Sequence, residues 1–130
     1  MLLDTAGLLA LLHRSEPQHA VAVAAYGAAN RRLTHNYVLA ELLALATVRG
    51  FQRDLALDFS QRILATPEVE VIWVGESLHR QALDLLSARL DKGYSLCDAV
   101  SFVLMRQRGL HDALTTDRHF EQEGFRRLLS

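Results

Sequence analysis

The 130-residue sequence has almost no cysteine, lysine or proline, and no long apolar run. Cys97 stands alone, so no intrachain disulfide and no cysteine-based metal cage is possible. No apolar stretch approaches the roughly 20 residues that span a bilayer. Met1-Leu2-Leu3-Asp4 also lacks the basic start of a secretory signal. No membrane association and a cytoplasmic location are the expectations that follow. No repeat, low-complexity tract or linker interrupts the chain, so residues 1–130 are expected to form a single domain. What is abundant is hydrophobic residues, at 50%, and arginine, which supplies every basic residue except Lys92. A net charge of −1 does not announce a polyanion ligand. Heavy arginine use reflects a GC-rich genome as readily as phosphate recognition, so arginine content alone decides nothing.

Short apolar runs alternate with helical patterns. Met1–Leu3 reads as a first strand, followed by a helix over Ala6–Leu12 with Leu8, Leu9 and Leu12 on one face. Ser15, Pro17 and Gln18 resemble a helix start, and that helix runs to about Ala29. Arg32–His35 is a weak second strand. Asn36 is placed to cap a helix over Tyr37–Arg49, which Gly50 stops. Arg53–Ala65 is an amphipathic helix, Val69–Val74 the clearest strand, and Glu76–Leu90 another helix. After the Asp91–Tyr94 turn come a helix begun by Ser95, a strand over Ala113–Thr116, a short helix near Arg118–Gln122 and a strand near Phe125–Leu129. Strands alternating with helices predict an α/β chain, a mainly parallel sheet flanked by helices.

Four acids stand in apolar settings: Asp4, Glu41, Asp98 and Asp117. Such acids are costly unless a cation or a set of hydrogen bonds satisfies them. Asp4 and Asp117 each follow a predicted strand, which puts both at the carboxyl edge of a parallel sheet, where ligands of such sheets bind. Asp98 lies in the first turn of its helix, on the stripe of Phe102 and Met105. Glu41 sits one turn beyond Tyr37 on a helix with little room for a solvent face. Carboxylates of this kind suit Mg²⁺ or Mn²⁺. Zinc is disfavoured without a cysteine pair or a His-x-x-x-His spacing. Each acid also has a plainer reading: Asp4 and Asp117 as helix caps, Asp98 as the third residue of a capping box begun by Ser95. Glu41, in mid-helix, has no capping role. Asp54, Asp58, Asp112, Glu121 and Glu123 read as solvated. His119 follows Asp117 closely but reads first as a helix-start residue, and Cys97 as packing. Arg14, Arg31, Arg32, Arg106, Arg108 and Arg118 are candidates for a phosphate path.

A phosphoacceptor signalling domain also gathers acids at strand ends. It needs an acidic pair early, an aspartate ending a central strand and a late lysine. Here Asp4 has no acidic neighbour, the Val69–Val74 strand runs into Gly75, and Lys92 lies in a turn before a helix.

Leu3-Asp4-Thr5, Tyr37-Val38-Leu39-Ala40-Glu41, Ser95-Leu96-Cys97-Asp98-Ala99 and Thr115-Thr116-Asp117-Arg118-His119-Phe120 occur in an order and spacing that resemble the PIN-domain family. The likeness is strongest to the VapC-type toxins of bacterial toxin–antitoxin pairs, and it spans nearly the whole chain. The resemblance implies a three-layer α/β/α sandwich and an Mg²⁺- or Mn²⁺-dependent endoribonuclease leaving 5′-phosphate and 3′-hydroxyl ends. It assigns the catalytic and metal-binding quartet to Asp4, Glu41, Asp98 and Asp117, with Asp4 and Asp98 as direct ligands. Thr5, Asn36, Ser95 and Thr116 match polar positions that orient the carboxylates. It also implies an RNA substrate, a cognate small antitoxin, a homodimer and higher toxin–antitoxin assemblies. The alternative is a non-catalytic RNA- or protein-binding module with the same fold, against which the intact quartet argues.

Overall fold

The computed structural model describes residues 1–130. Five short strands, β1 (Leu2–Leu3), β2 (Arg32–His35), β3 (Val69–Ile72), β4 (Asp112–Leu114) and β5 (Arg126–Arg127), form one sheet in the order β3-β2-β1-β4-β5. Every pairing is parallel. Parallel neighbours need crossovers, and seven helices supply them. These are α1 (Thr5–Leu12), α2 (His19–Ala28), α3 (Asn36–Val48), α4 (Arg53–Ala65), α5 (Glu76–Ser87), α6 (Leu96–Arg108) and α7 (His119–Gln122).

Leu2 and Leu3 are both fully buried, yet they point to opposite sides, as the two-residue period of a strand requires. Leu3 joins Leu8, Leu9, Val38, Leu42 and Leu114 in one apolar layer. Leu2 joins Leu33, Val100, Phe102, Met105 and Phe120 in the other. The result is the expected three-layer α/β/α arrangement. One glycine is dictated by it. A Cβ on Gly7 would stand 2.0 Å from the Leu114 carbonyl oxygen, so α1 lies against the end of β4 only because residue 7 has no side chain.

The sheet has one topological reversal. From β1 the chain adds β2 and then β3 on one side, then returns past β1 to add β4 and β5 on the other. The connections leaving β1 and β4 therefore diverge, and a crevice opens beyond their carboxyl ends.

Helix boundaries moved by a residue or more at several ends, α5 stopping at Ser87, three residues short of Leu90, and two of the expected caps are replaced. The second helix begins at His19, four residues beyond the Ser15 start, and carries no side-chain cap; Ser15 bonds the His13 ring instead. At α3 the capping residue is His35, whose Nδ1 accepts from the Val38 amide at 3.4 Å. Asn36 is the first residue inside that helix, and its Oδ1 accepts from the Val74 amide at 2.6 Å.

Candidate functional site

The crevice at the reversal is where the acids gather. Asp4 is the first residue past β1, at the N-cap position of α1, but its side chain makes no cap bond to that helix. Its Oδ2 accepts a 2.7 Å hydrogen bond from the Thr115 hydroxyl. The same Thr115 oxygen accepts from the Asp117 amide at 3.0 Å. One fully buried threonine thus ties the end of β1 to the loop after β4. The resemblance pointed to Thr116 for such a role; Thr116 is exposed, and its carbonyl accepts from Arg127. Thr115 was hidden in the sequence by its position in an apolar run, where threonine reads as a strand former.

Asp98 completes the capping box foreseen for it. Its Oδ2 accepts from the Ser95 amide at 3.1 Å, while its own amide donates to Ser95 Oγ at 3.0 Å. The plain reading and the site reading hold together, because the box leaves Asp98 Oδ1 unbonded by protein and also turns Oδ2 toward His119. His119 Nδ1 stands 3.1 Å from Asp98 Oδ2 and 3.4 Å from Asp117 Oδ1. The His119 amide donates to Asp117 Oδ1 at 2.9 Å, so the helix-start reading of this residue was correct but incomplete. Oxygen and nitrogen donor atoms of Asp98, Asp117 and His119 all lie within 4.8 Å of one another. The available signal was the Asp-x-His spacing at the head of a one-turn helix.

Glu41 is on the exposed side of α3, not on the apolar face expected for it. Its charge nonetheless reaches the crevice, where it acts on both Asp4 and Cys97. Burial pushes the Asp4 carboxyl up to about 7, against the Thr115 hydroxyl that favours its ionised form; Asp98 and Glu41 push it the same way as burial. Burial likewise raises Asp98, with the Ser95 amide and His119 opposing and Asp117 assisting. The buried Cys97 thiol is raised too, which suits an inert packing role.

No lysine or arginine pairs with Asp4, Asp98 or Asp117; His119 is their one basic neighbour. The Thr5 hydroxyl, buried directly after Asp4, has no hydrogen-bond partner in the protein. Mutually repelling carboxylates beside an unpartnered hydroxyl offer the donor chemistry of Mg²⁺ or Mn²⁺. Other expectations fared differently. Asn36 spends its oxygen on Val74, on the far side of β2 from Asp4. Glu123 is not solvated: its side chain is 3% exposed and holds Arg89 at 2.7 Å and Arg106 at 2.5 Å. Burial raises the Glu123 carboxyl, but the two guanidinium groups outweigh it and hold the carboxyl below its ordinary value. Arg108 pairs with Glu70, Arg31 bonds the Arg108 carbonyl, and Arg32 opens β2, so these three lie at the amino edge of the sheet, away from the crevice. Arg106 is taken by Glu123. Of the six arginines proposed for a phosphate path, Arg118 alone adjoins the crevice in sequence, one residue past Asp117 and exposed.

Known proteins are similar to this chain in sequence and fold. The family profile described as the PIN domain matches residues 1–125. The 23S rRNA-specific endonuclease VapC20 of Mycobacterium tuberculosis is 32% identical over 93 residues, covering 72% of this chain and 70% of the relative. Ribonuclease VapC26 of the same organism is 32% identical over 123 residues, covering 92% of this chain and 89% of the relative. The crystal structure of M. tuberculosis VapC20, described as a sarcin–ricin loop cleaving toxin, superposes with a TM-score of 0.88 at 27% identity, over 99% of this chain and 98% of that one.

Proposed function

The chain belongs to the PIN-domain family, whose relatives matched here are VapC ribonucleases, and from that premise we propose that it is a divalent-metal-dependent endoribonuclease acting as the toxin of a toxin–antitoxin pair. The observation that carries this reading is the cluster of Asp98, Asp117 and His119, whose donor atoms lie within 4.8 Å of one another, with Asp4 tied to the Asp117 loop through Thr115 and no lysine or arginine paired with the three aspartates.

Asp4, Asp98 and Asp117 would hold Mg²⁺ or Mn²⁺, with Glu41 at the exposed rim. Such an ion supplies positive charge to the phosphoryl oxygens and makes the attacking water more acidic. The protein's own work is orientation. Thr115 fixes the Asp4 carboxylate and the Asp117 loop in one hydrogen-bonded unit. The Ser95 capping box fixes Asp98. Glu41, exposed and felt by Asp4 through its charge, would serve as the acceptor of a proton from water. Cleavage by water in such a site leaves a 5′-phosphate and a 3′-hydroxyl.

An RNA loop with unstacked bases is the substrate class this reading implies, since such loops can be splayed into a site that a duplex cannot enter. Since VapC20 is named for 23S rRNA, ribosomal RNA is the first substrate to test. A cytoplasmic location, a small cognate antitoxin and a homodimer belong to the same proposal. Induced expression in a bacterial host tests the reading. The wild type should arrest growth and produce discrete RNA cuts, Asp98→Asn should do neither, and co-expression of the small protein encoded next to it should restore growth. Equal arrest by both forms would refute the catalytic assignment.

A further inference from the structure

We propose that His35 and Ser101 are a positioning pair that sets the helix carrying Glu41 against the helix carrying Asp98; this inference rests on the metal-dependent reading above. Both residues are fully buried. His35 Nε2 lies 2.8 Å from Ser101 Oγ. The other ring nitrogen, Nδ1, accepts from the Val38 amide, so in the neutral ring Nε2 carries the proton and donates to the serine. Burial keeps the ring neutral by lowering its pKa to about 4. One imidazole therefore joins two elements. Through Nδ1 it caps α3, and Glu41 follows in the second turn of that helix. Through Nε2 it holds α6 at Ser101, three residues and nearly one turn beyond Asp98.

The neighbouring residue strengthens the assignment. Thr34 Oγ1 donates to the Leu3 carbonyl at 2.9 Å, immediately before Asp4. The end of β2 thus reaches sideways twice, toward the strand that carries Asp4 and toward the helix that carries Asp98. Neither His35 nor Ser101 has surface to offer substrate, so the pair acts only through the residues it positions. A buried hydrogen bond between two elements is costly to break, because its orphaned partner stays out of water. Carboxylates that share one cation respond to shifts well below an ångström. Supporting polar contacts of this kind commonly change metal affinity 10- to 100-fold.

Two variants separate the link from the cap. His35→Asn keeps an oxygen able to cap α3 but is too short to reach Ser101. Ser101→Ala removes the other end of the link. Mn²⁺ binding to the full chain is read from the electron paramagnetic resonance of the free ion, beside kcat and KM for RNA cleavage and the melting temperature. Each variant should bind Mn²⁺ about tenfold more weakly and lose kcat by a similar factor, with KM for RNA unchanged. The double variant should be no worse than either single one, since both remove the same bond. His35→Gln, which extends an amide toward Ser101, should recover most of the Mn²⁺ affinity. Lower melting temperatures with wild-type Mn²⁺ affinity and kcat would reduce the pair to packing and overturn the proposal. Losses that multiply in the double variant would overturn it as well. A wild type that neither binds Mn²⁺ nor cuts RNA would overturn the nuclease reading and this inference together. A wild type that does both, with variants that match it, overturns this inference alone.

Discussion

Asp4 is the residue whose environment departs most from its chemistry. An acid 5% exposed, with a hydroxyl on one oxygen and other acids nearby, is held in a state water would not choose. The sign of the effect is fixed. The unfolded chain releases this proton near 3.8, whereas the folded protein keeps it to about 7. The folded state therefore loses stability as pH climbs between those values, by about 4 kcal/mol at the top of the window. His35, neutral down to about 4, works in the opposite direction over much of that range, so the raw stability profile of the wild type mixes the two. Comparison with Asp4→Asn isolates the carboxyl. Without metal, the variant should melt above the wild type at pH 8, and the gap should close by pH 4. Added Mn²⁺ should reverse the order at pH 8 by stabilising the wild type alone. Thermal unfolding in EDTA and in Mn²⁺ checks all three statements.

Thr115 is the residue that sequence reading passed over. The neighbouring Thr116 matched the expected motif position, but just past the end of β4 residue 115 is fully buried and residue 116 is exposed. Thr115→Val keeps the shape, removes the bond to Asp4 and leaves the Asp117 amide unpaired. Cleavage should fall 10- to 100-fold in kcat with the fold retained by circular dichroism. Asp98 and Asp117, two acids of the proposed quartet, could be singled out in the sequence because acids in apolar runs are conspicuous, and the fold brings them together; Glu41 was singled out on the same ground but lies on the exposed side of α3. His119, Glu123 and the true cap of α3 were not legible, since each depends on a partner distant in sequence: His119 on Asp98, Glu123 on Arg89, His35 on Ser101.

At the scale of elements, the strands and helices followed from periodicity, and their errors lie at their ends. The Ala113–Thr116 strand closes at Leu114, although the Thr115 carbonyl still accepts from the Leu129 amide at 3.1 Å. Strand β3 closes at Ile72, before Trp73 and Val74, since its partner β2 ends at His35, opposite Ile72, where α3 begins. Packing of α1 on β4 was not legible at all: Gly7 in a leucine-rich helix reads as a weak point, not as a contact. Gly7→Ala puts a methyl group 2.0 Å from the Leu114 carbonyl oxygen, a clash that backbone must relieve. The substitution should lower stability by about 1–3 kcal/mol or more, although alanine is the better helix former. Because α1 begins at Asp4 and β4 leads into Thr115, cleavage should fall alongside the denaturation midpoint.

At the scale of the molecule, the strand order does what no single motif can. It brings residue 4 beside residue 115 and sets both next to a helix that starts near residue 96. Two apolar layers sharing one sheet, with no linker between them, support the proposal that residues 1–130 unfold as one unit. Guanidinium unfolding followed by fluorescence of Trp73 and by far-ultraviolet dichroism should give a single coincident transition. The arginines show the limit of composition as a guide. Glu70, Glu123 and backbone carbonyls take up Arg31, Arg89, Arg106 and Arg108, so the excess of arginine serves the fold more than a phosphate path. The central claim is that the acids gathered at the sheet reversal cut RNA with a divalent ion. Its most direct test is incubation of ribosomal RNA with the purified chain in Mg²⁺ or Mn²⁺, in EDTA, and with Asp98→Asn in Mn²⁺, followed by mapping of the ends. Discrete cuts bearing 5′-phosphates, present only with the wild type and a divalent ion, are the predicted result; cutting that persists in EDTA or in the Asp98→Asn variant would contradict it.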